Sequence, residues 1–355
     1  MRVVINTTDL RSQGGVSNHF LGLRDKFSSE VTYFYVGENS ENPLFLPFLQ
    51  FIDFFRFISV VRGRKPEIIH LNPSLGIKAI IRDAGYLLLA KLITNAKIVV
   101  FFHGWNAEFS SRITRNYSSL FALIFNNADA LIVLSSEFKR TLTHWGIIKP
   151  VYIETTKVDD SLVNDLSGPV NHNDGMFNIL FMARIIREKG IFETIDTYSI
   201  LKSKYPKCTL SIAGEGPELE PAKEYVEEKS ITDVEFHGYV EGEKKNCLFR
   251  NASCYLLPTT HGEGLPTSVV EAMAFGLPVI SRPVGGLKDF FENEQMGFLT
   301  DSKEPEVFAE LIVQLISRPN LTNSIAKFNF NYAQKYFLAS KVADRIESIY
   351  QDIAK

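Results

Sequence analysis

Short apolar runs alternate with longer amphipathic stretches along the first half of the chain. The apolar runs are rich in β-branched and aromatic residues and have the length of strands: RVVIN, VTYFYV, EIIHL, AKIVVFF and ALIVLS. Strands that are apolar throughout are typical of a parallel sheet covered by helices on both faces. The pattern therefore predicts a doubly wound α/β domain over residues 1–168.

A polar stretch, SGPVNHNDG, then interrupts the alternation and contains nothing that could form a core element. It predicts a linker over residues 169–176. The alternation starts again with NILFMA, CTLSIAG, DVEFHGYV, SCYLLP and LPVIS. We therefore predict a second doubly wound domain over residues 177–335.

The last segment, residues 336–355, has four apolar residues on one helical stripe. They are Val342, Ile346, Ile349 and Ile353. A stripe of this kind predicts a helix that packs on a domain, and we expect it to return toward the N-terminal one.

Two open parallel sheets also predict where a ligand binds. Such sheets bind ligands at the carboxyl ends of their strands, so two of them predict a site in a cleft between the domains.

The chain has 355 residues, 45% of them hydrophobic and 22% charged, which is the balance of a globular protein with two domains. Its net charge of −3 gives no reason to expect a nucleic-acid partner.

Cysteine usage and the apolar segments bear on location. The three cysteines form no CxxC pair, so neither a zinc site nor a disulfide framework is indicated. The start, MRVVINTTDL, lacks the pattern of a signal peptide. The most apolar stretch, residues 45–61, contains Asp53 and Arg56 and is shorter than the roughly 20 residues that a spanning helix needs. We therefore expect a cytoplasmic protein without a transmembrane segment.

The stretch HGEGLPTSVVEAMAFGLPVIS carries the strongest candidate chemistry. A helix is expected to begin at Thr267 or Ser268, and its N-terminus would suit a diphosphate. Glu271 then has two interpretations. It forms a capping box with Ser268, which is purely structural, or it binds a ligand. Glu263 lies in the preceding loop, where packing requires no carboxylate.

These residues resemble a known signature. EGLPTSVVE followed by AMAFGLPVI is similar to the motif of retaining GT-B glycosyltransferases of family 4. Further similar segments occur in the family's order: GG at 14–15, HG at 103–104, NILFMARIIREKG, LSIAGEGPE and VEFHGYV. The resemblance implies two Rossmann-like domains that face a central cleft. It also implies hexosyl transfer (EC 2.4) from a nucleotide sugar with retention of configuration.

The resemblance also implies roles for individual residues. Arg184 and Lys189 would neutralise the leaving diphosphate, Glu263 would hold sugar hydroxyls, and His103 would lie beside the transferred sugar. Glu271 would accept hydrogen bonds from the ribose, a task that suits an acceptor-only carboxylate. The remaining donor-binding residues would be Gly14, Gly15, Gly214, Glu215, His237, Tyr239, Val240, Gly264, Leu265, Pro266 and Thr267.

No Asp-x-Asp motif is present, so we expect no metal and no cofactor. The substrates would be a nucleoside-diphosphate sugar, with UDP as the commonest guess, and a glycan or polyprenyl-linked glycan. This activity would serve the synthesis of cell-surface polysaccharide. Two departures from the family pattern concern the acceptor side: Ser17 and Asn18 follow the GG pair, and ETTKVDD replaces the usual PNG before the linker.

Other functions fit parts of the same pattern. A GT-B nucleotide-sugar 2-epimerase would convert the donor without an acceptor, and a non-catalytic GT-B partner subunit would keep the fold without turnover. A dehydrogenase fits less well, because GEGPE lacks the third glycine of a dinucleotide fingerprint.

The phenylalanine-rich residues 45–65 have two interpretations. They form a helix that is buried on the first sheet, or an interfacial segment with a basic flank, RGRK. The second interpretation implies contact with an anionic membrane surface, and so a peripheral location on the inner face of the cell membrane.

Overall fold

The computed structural model describes residues 1–12, 14–37, 46–170, 175–262 and 264–355, with the backbone alone for residues 46–51. The described chain divides into two compact units. The first unit consists of Met1–Thr156, Gly262–Leu265 and Ala339–Lys355, and the second of Lys157–His261 and Pro266–Leu338. The first boundary between the units thus lies at residue 156, whereas the sequence pattern placed it at residue 168. Four of the eight residues of the predicted linker, 169, 170, 175 and 176, are described, and they belong to the second unit.

The first unit is built on a six-stranded parallel sheet. Its elements are β1 Arg2–Thr7, α1 Gly15–Leu23, β2 Glu30–Tyr35, α2 Leu46–Arg64, β3 Ile68–Leu71, α3 Ile77–Ile93, β4 Lys97–Phe102, α4 Ala107–Asn116, α5 Ser118–Phe125, β5 Ala130–Val133, α6 Ser136–His144 and β6 Val151–Ile153. The strand order is β2-β1-β3-β4-β5-β6. Every residue of β3 and β5 is buried, which explains why these strands are apolar throughout.

The second unit contains another six-stranded parallel sheet. Its elements are α7 Asp160–Val163, β7 Phe177–Met182, a 3-10 helix Arg187–Lys189, α8 Ile191–Lys204, β8 Cys208–Ala213, α9 Leu219–Glu228, β9 Val234–Phe236, α10 Gly242–Asn251, β10 Cys254–Leu257, α11 Thr267–Ala274, β11 Val279–Ser281, α12 Leu287–Phe290, β12 Gly297–Leu299, α13 Pro305–Ser317 and α14 Pro319–Tyr336. The strand order is β12-β11-β10-β7-β8-β9, so the direction of winding reverses between β7 and β10. Ligands of doubly wound sheets bind at such a switch point.

The C-terminal helix, α15 (Ala339–Ala354), belongs to the first unit. Val342, Ile346 and Ile349 of the predicted stripe are buried. The Glu347 carboxylate accepts hydrogen bonds from the backbone N–H groups of Ser28 (3.0 Å) and Ser29 (2.7 Å). Apolar packing and charge-assisted hydrogen bonds thus attach the helix to this unit.

The phenylalanine-rich segment forms α2, and the helix has both buried and exposed positions. Phe57 and Val61 lie in the core, whereas Phe55 is 59% exposed. The buried Asp53 carboxylate accepts from Gly37 N and from Arg56. The predicted buried helix is therefore partly correct, while Phe45 lies outside the described residues. Among the helices that the structure describes, none combines the length and apolarity needed to cross a membrane.

Candidate functional site

Four loops of the second unit meet at the carboxyl edge of its sheet. They follow β10, β7, β8 and β9, which are neighbours in that order. Backbone hydrogen bonds join successive loops: Ala183 N donates to Ala213 O (3.1 Å), and Gly214 N donates to Gly238 O (2.8 Å). These four loops, which the sequence separates widely, therefore share one edge of the sheet.

The loop after β7 carries the two predicted cations. Arg184 lies two residues beyond the strand with an exposed side chain, and the half-buried Lys189 ends the 3-10 helix. The Glu188 carbonyl accepts from Thr260 N (2.7 Å) and His261 N (3.0 Å), which belong to the loop after β10. Lys189 is thus held at the switch point between β7 and β10.

Gly190 permits this close approach of the two loops. Its φ of +84° is in the left-handed region, and it is the N-cap of α8 directly after Lys189. A Cβ at this position would lie 2.7 Å from both Cγ and the carbonyl oxygen of Pro258. Only glycine therefore lets the lysine-bearing turn rest on the loop after β10.

The GEGP loop after β8 packs against the β7 loop. Ile185 N donates to Glu215 O at 2.8 Å. A Cβ at Gly214 or Gly216 would overlap the carbonyl oxygen of Ala183 or Ile185, so both glycines are needed for backbone packing. The Glu215 side chain itself is exposed at the same edge.

The loop after β9 places its three predicted residues differently. Tyr239 is 51% exposed and Val240 is buried. The His237 ring lines a groove with Thr209, near the amino end of β8, so it lies along the face of the sheet. Burial lowers the pKa of His237, although the Glu235 carboxylate 3.6 Å away opposes this shift.

Glu271 lies inside a helix rather than at its cap. Pro266 is the N-cap of α11 and Thr267 is its first residue. A capping box needs Ser268 at the N-cap and Glu271 as the third helical residue, but they are the second and the fifth. The Ser268 hydroxyl instead hydrogen-bonds with the Tyr255 hydroxyl at 2.6 Å. The capping-box interpretation is therefore wrong.

The Glu271 carboxylate forms an ion pair that the sequence did not predict. It is 5% exposed, and its Oε1 accepts from Lys245 Nζ of α10 at 2.9 Å. Burial alone would lower the pKa of Lys245, but the charge and hydrogen bond of Glu271 outweigh burial and raise it. Lys245 stands in the polar run GEKKN, which reads as a solvated helix face and gives no signal of this contact.

The loop before α11 is divided between the units. Glu263 lies outside the described residues. Gly264 and Leu265 belong to the first unit, whereas Pro266 and Thr267 belong to the second. A Cβ at Gly264 would lie 2.8 Å from the carbonyl oxygen of His103, so this glycine is needed for contact with the loop after β4.

Neither Gly14 nor Gly15, the pair after β1, has a backbone conformation that only glycine can adopt. Gly14 is extended, with φ −179°, and caps α1, of which Gly15 is the first residue. No atom lies within 4 Å of the position that a Cβ would take at Gly15. The Ser17 hydroxyl donates to Ser12 O at 2.8 Å, so it takes part in local structure.

His103 lies in a cluster of rings and amides at the carboxyl edge of the first sheet. Its Nε2 is 2.9 Å from Asn72 Oδ1, and its ring centroid is 4.9 Å from that of His19 and 3.8 Å from that of Phe101. Burial, followed by the nearby His19 and His70, holds the pKa of His103 well below its usual value. The imidazole is therefore neutral at physiological pH.

The sequence analysis missed the partners of this histidine. Neither His19 nor Asn72 belongs to a motif that it used, and both are buried. Burial also lowers the pKa of His70, to about 3, and its Nδ1 is 2.5 Å from the Tyr350 hydroxyl of α15. His70 and Tyr350 are 280 positions apart in sequence, so no local pattern could have joined them.

Comparison with known proteins gives a family match for part of the chain and a fold for the whole of it. Residues 164–331 match the family described as Glycosyl transferases group 1. The provisionally named colanic acid biosynthesis glycosyltransferase WcaL of Escherichia coli K12 is 24% identical over 68% of this chain and 59% of its own length. The capsular polysaccharide biosynthesis glycosyltransferase CapM of Staphylococcus aureus is 25% identical over 62% and 58%. The chain thus spans less than two thirds of these relatives.

Solved structures are similar over the whole chain. The crystal structure of Anabaena Alr3699/HepE in complex with UDP and glucose has a TM-score of 0.76, with 16% identity over 99% of both chains. A glycosyltransferase from Rickettsia africae also has a TM-score of 0.76, with 16% identity over 100% of this chain and 98% of its own. These similarities confirm the predicted fold class, α/β of the GT-B type with two doubly wound domains.

Proposed function

We propose that the protein transfers a sugar from a nucleoside diphosphate to a glycan acceptor, because residues 164–331 match the family described as Glycosyl transferases group 1. The reaction retains the configuration of the anomeric carbon. Relatives named for colanic acid and capsular polysaccharide support an acceptor of cell-surface polysaccharide, either free or polyprenyl-linked. UDP-sugar is the preferred donor candidate, since HepE was crystallised with UDP and glucose.

The observation that carries this proposal is the position of Arg184 and Lys189 at the switch point of the second sheet. When the bond from the anomeric carbon to the phosphate oxygen breaks, its electron pair moves to that oxygen. Two cations at the loop after β7 stabilise the charge that develops there. The acceptor hydroxyl forms the new bond to the anomeric carbon, and its proton goes to the leaving phosphate oxygen on the same face.

The neighbouring groups complete this donor site. The buried Glu271 carboxylate accepts hydrogen bonds from the ribose hydroxyls, in exchange for part of its contact with Lys245. The N-terminus of α11 gives the diphosphate further N–H donors. Since two side-chain cations neutralise the leaving group, the reaction needs no metal ion and no cofactor.

Donor binding and product configuration test this function. Saturation-transfer NMR against UDP-, GDP- and ADP-sugars should give one bound donor, and EDTA should not change the signal. Proton NMR of the product should then show the anomeric configuration of the donor. Inversion, or loss of binding in EDTA, would contradict the mechanism. Conversion of the donor without an acceptor would indicate the 2-epimerase instead, and binding without turnover the non-catalytic subunit.

We also propose that the first unit binds an anionic membrane surface. The binding surface includes α3 and α5 in addition to the phenylalanine-rich residues 45–65. Besides Phe55 of α2, an apolar set on α3 and α5 is exposed: Ile77, Ile81, Leu88, Leu92, Leu120 and Leu123. The first four share one face of α3, and that face has no carboxylate. Residues 46–125 hold ten Lys and Arg against four Asp and Glu, whereas the whole chain has 38 against 41. Apolar side chains flanked by cations suit the surface of an anionic bilayer.

Vesicle sedimentation tests this surface. The Leu88→Glu/Leu92→Glu variant should lose most of its binding to vesicles that contain phosphatidylglycerol, because two carboxylates would have to enter the interface. Met176→Glu, at an exposed apolar residue of the second unit, is the matched control and should bind as the wild type does. Equal binding by both variants, or by neutral vesicles, would contradict the proposal.

A further inference from the structure

A chain of buried polar side chains leads from α3 to the histidine of the first unit. It begins at Asp83, whose side chain is fully buried. Asp83 Oδ2 accepts from Arg82 Nη2 (2.6 Å) and Nε (3.1 Å), and its Oδ1 accepts from Asn6 Nδ2 (2.6 Å). Burial raises the pKa of Asp83, whereas the charge of Arg82 and the hydrogen bonds from Asn6 and Arg82 oppose this shift. Because both oxygens face donors and the Arg82 guanidinium compensates the buried charge, the group acts as an ionised acceptor.

The carboxylate fixes the orientation of the first amide. Asn6 must present its NH₂ group to Asp83, because a carboxylate only accepts hydrogen bonds. The other side of that amide, Oδ1, accepts from the backbone N–H of Asn72 at 2.7 Å. A flipped Asn6 would place oxygen against oxygen at Asp83 and donor against donor at Asn72, so one orientation satisfies both contacts.

The second amide is fixed in the same way. Asn72 Nδ2 lies 2.8 Å from the backbone oxygen of Asn6 and 3.4 Å from that of His70. Carbonyl oxygens only accept, so the NH₂ group must lie on this side. Asn72 Oδ1 therefore faces His103 Nε2, and at 2.9 Å that ring nitrogen must be the donor.

We propose that Asn72 is a positioning residue that holds His103 as the neutral Nε2–H tautomer, with the lone pair on Nδ1, and that Asp83 and Asn6 position the backbone of Asn72. Within the described residues, Asn72 provides the hydrogen bond to this ring, and Phe101 and His19 pack against it. This inference rests on the proposed function. The Nδ1 lone pair accepts a hydrogen bond from a hydroxyl group of the sugar substrate, and a protonated or inverted ring could not.

The arrangement also indicates what His103 does not do. The titratable side chains near the His103 ring are His70 of β3 and His19 of α1. Neither carries a negative charge that would stabilise an imidazolium. Asp83, the nearest member of the chain with a charge, is separated from the ring by two amides. His103 is thus arranged to orient a hydroxyl rather than to remove its proton.

NMR of the imidazole nitrogens tests the tautomer without any substrate. Long-range ¹H–¹⁵N correlation of the full-length protein should show His103, assigned by its loss in His103→Gln, as the Nε2–H tautomer. It should remain neutral below pH 6, where an exposed histidine is largely protonated. A Nδ1–H tautomer, or an imidazolium at pH 7, would overturn the proposal whether or not the protein is a transferase.

A remote substitution tests the chain itself. Asp83→Asn keeps the volume of the side chain. Its one oxygen must accept from Arg82, so its NH₂ group faces the NH₂ group of Asn6, and no orientation of Asn6 then satisfies both residue 83 and the backbone N–H of Asn72. The backbone N–H of Asn72 would then lose its acceptor, so the Nε2 resonance of His103 should shift as its contact with Asn72 weakens, while the tautomer is kept because two backbone carbonyls still fix the Asn72 amide. If Asp83→Asn does not fold, Arg82→Gln tests the same chain from its exposed end. An unchanged His103 spectrum in the folded variant would contradict the proposal.

Kinetics separate positioning from general stability. Asn72→Ala should decrease kcat about tenfold, the value of one hydrogen bond, with KM for the donor little changed. His103→Gln should recover activity relative to His103→Ala, because its amide can donate to Asn72 and still present an acceptor oxygen. Asn329→Ala, which removes a buried amide of the second unit, is the control and should leave the His103 spectrum unchanged. Equal activity of the Gln and Ala variants would contradict the acceptor role.

Discussion

Arg184→Ala is expected to decrease kcat for sugar transfer by about 10²–10³-fold, the usual effect of removing one preorganised group that faces developing charge. Lys189→Ala should have an effect of the same order. Both side chains lie in the loop after β7, where the leaving diphosphate gains its charge as the glycosidic bond breaks. Because this charge is greater in the transition state than in the bound donor, kcat should fall more than donor affinity.

The same turn provides a matched control for this prediction. Arg187 is an exposed cation of the 3-10 helix, and its guanidinium stacks over the Phe192 ring at 5.1 Å. Arg187→Ala removes the same charge from the same turn, and its kcat should change by no more than about twofold, as for an exposed surface charge. Steady-state kinetics at saturating donor measures all three variants. Equal losses in Arg184→Ala and Arg187→Ala would show that general charge, rather than position, supports turnover.

Glu271→Gln is expected to weaken donor binding by about 10- to 100-fold, the range for losing a hydrogen bond to a charged acceptor. The substitution keeps the shape of the side chain and replaces one acceptor oxygen by a donor. Calorimetry with the donor that binds the wild type gives the dissociation constant directly.

Glu271→Gln also changes stability through Lys245, and a change of Lys245 provides the control for this effect. The substitution leaves Lys245, which is 20% exposed, without its carboxylate, at a cost of about 3 kcal/mol in the free energy of unfolding. The Glu271→Gln/Lys245→Met double variant should recover most of that stability, because no unpaired charge remains. It should not recover donor binding. Recovery of both would mean that Glu271 acts only through the fold.

The unfolding measurement needs a probe of the second unit. Both tryptophans, Trp105 and Trp145, lie in the first unit, so fluorescence reports on that unit alone. Far-UV circular dichroism should therefore follow Glu271→Gln, with tryptophan fluorescence as the internal reference that does not change.

The sequence by itself determined the elements that depend on local pattern. The ten apolar runs identified as strands all coincide with strands, because a parallel sheet buried on both faces requires such runs. β6 and β12, three residues each at an edge of their sheets, were missed. β9 and β11 are equally short, but they were identified because the runs DVEFHGYV and LPVIS extend beyond them. The helix start near Thr267 was correct because Pro266 and the glycines before it are strong local signals.

The tertiary structure alone decided which partners these elements bring to the candidate residues. The ion pair of Glu271 with Lys245 joins two helices across 26 positions, and the chain from Asp83 to His103 passes through β1 and the loop after β3. Such contacts depend on the strand order, which places β1 beside β3 and β7 beside β10. A side chain's neighbours along the sequence determine its helix or strand. Its neighbours in space determine its charge and hydrogen bonds, and those appear only when the sheets are assembled.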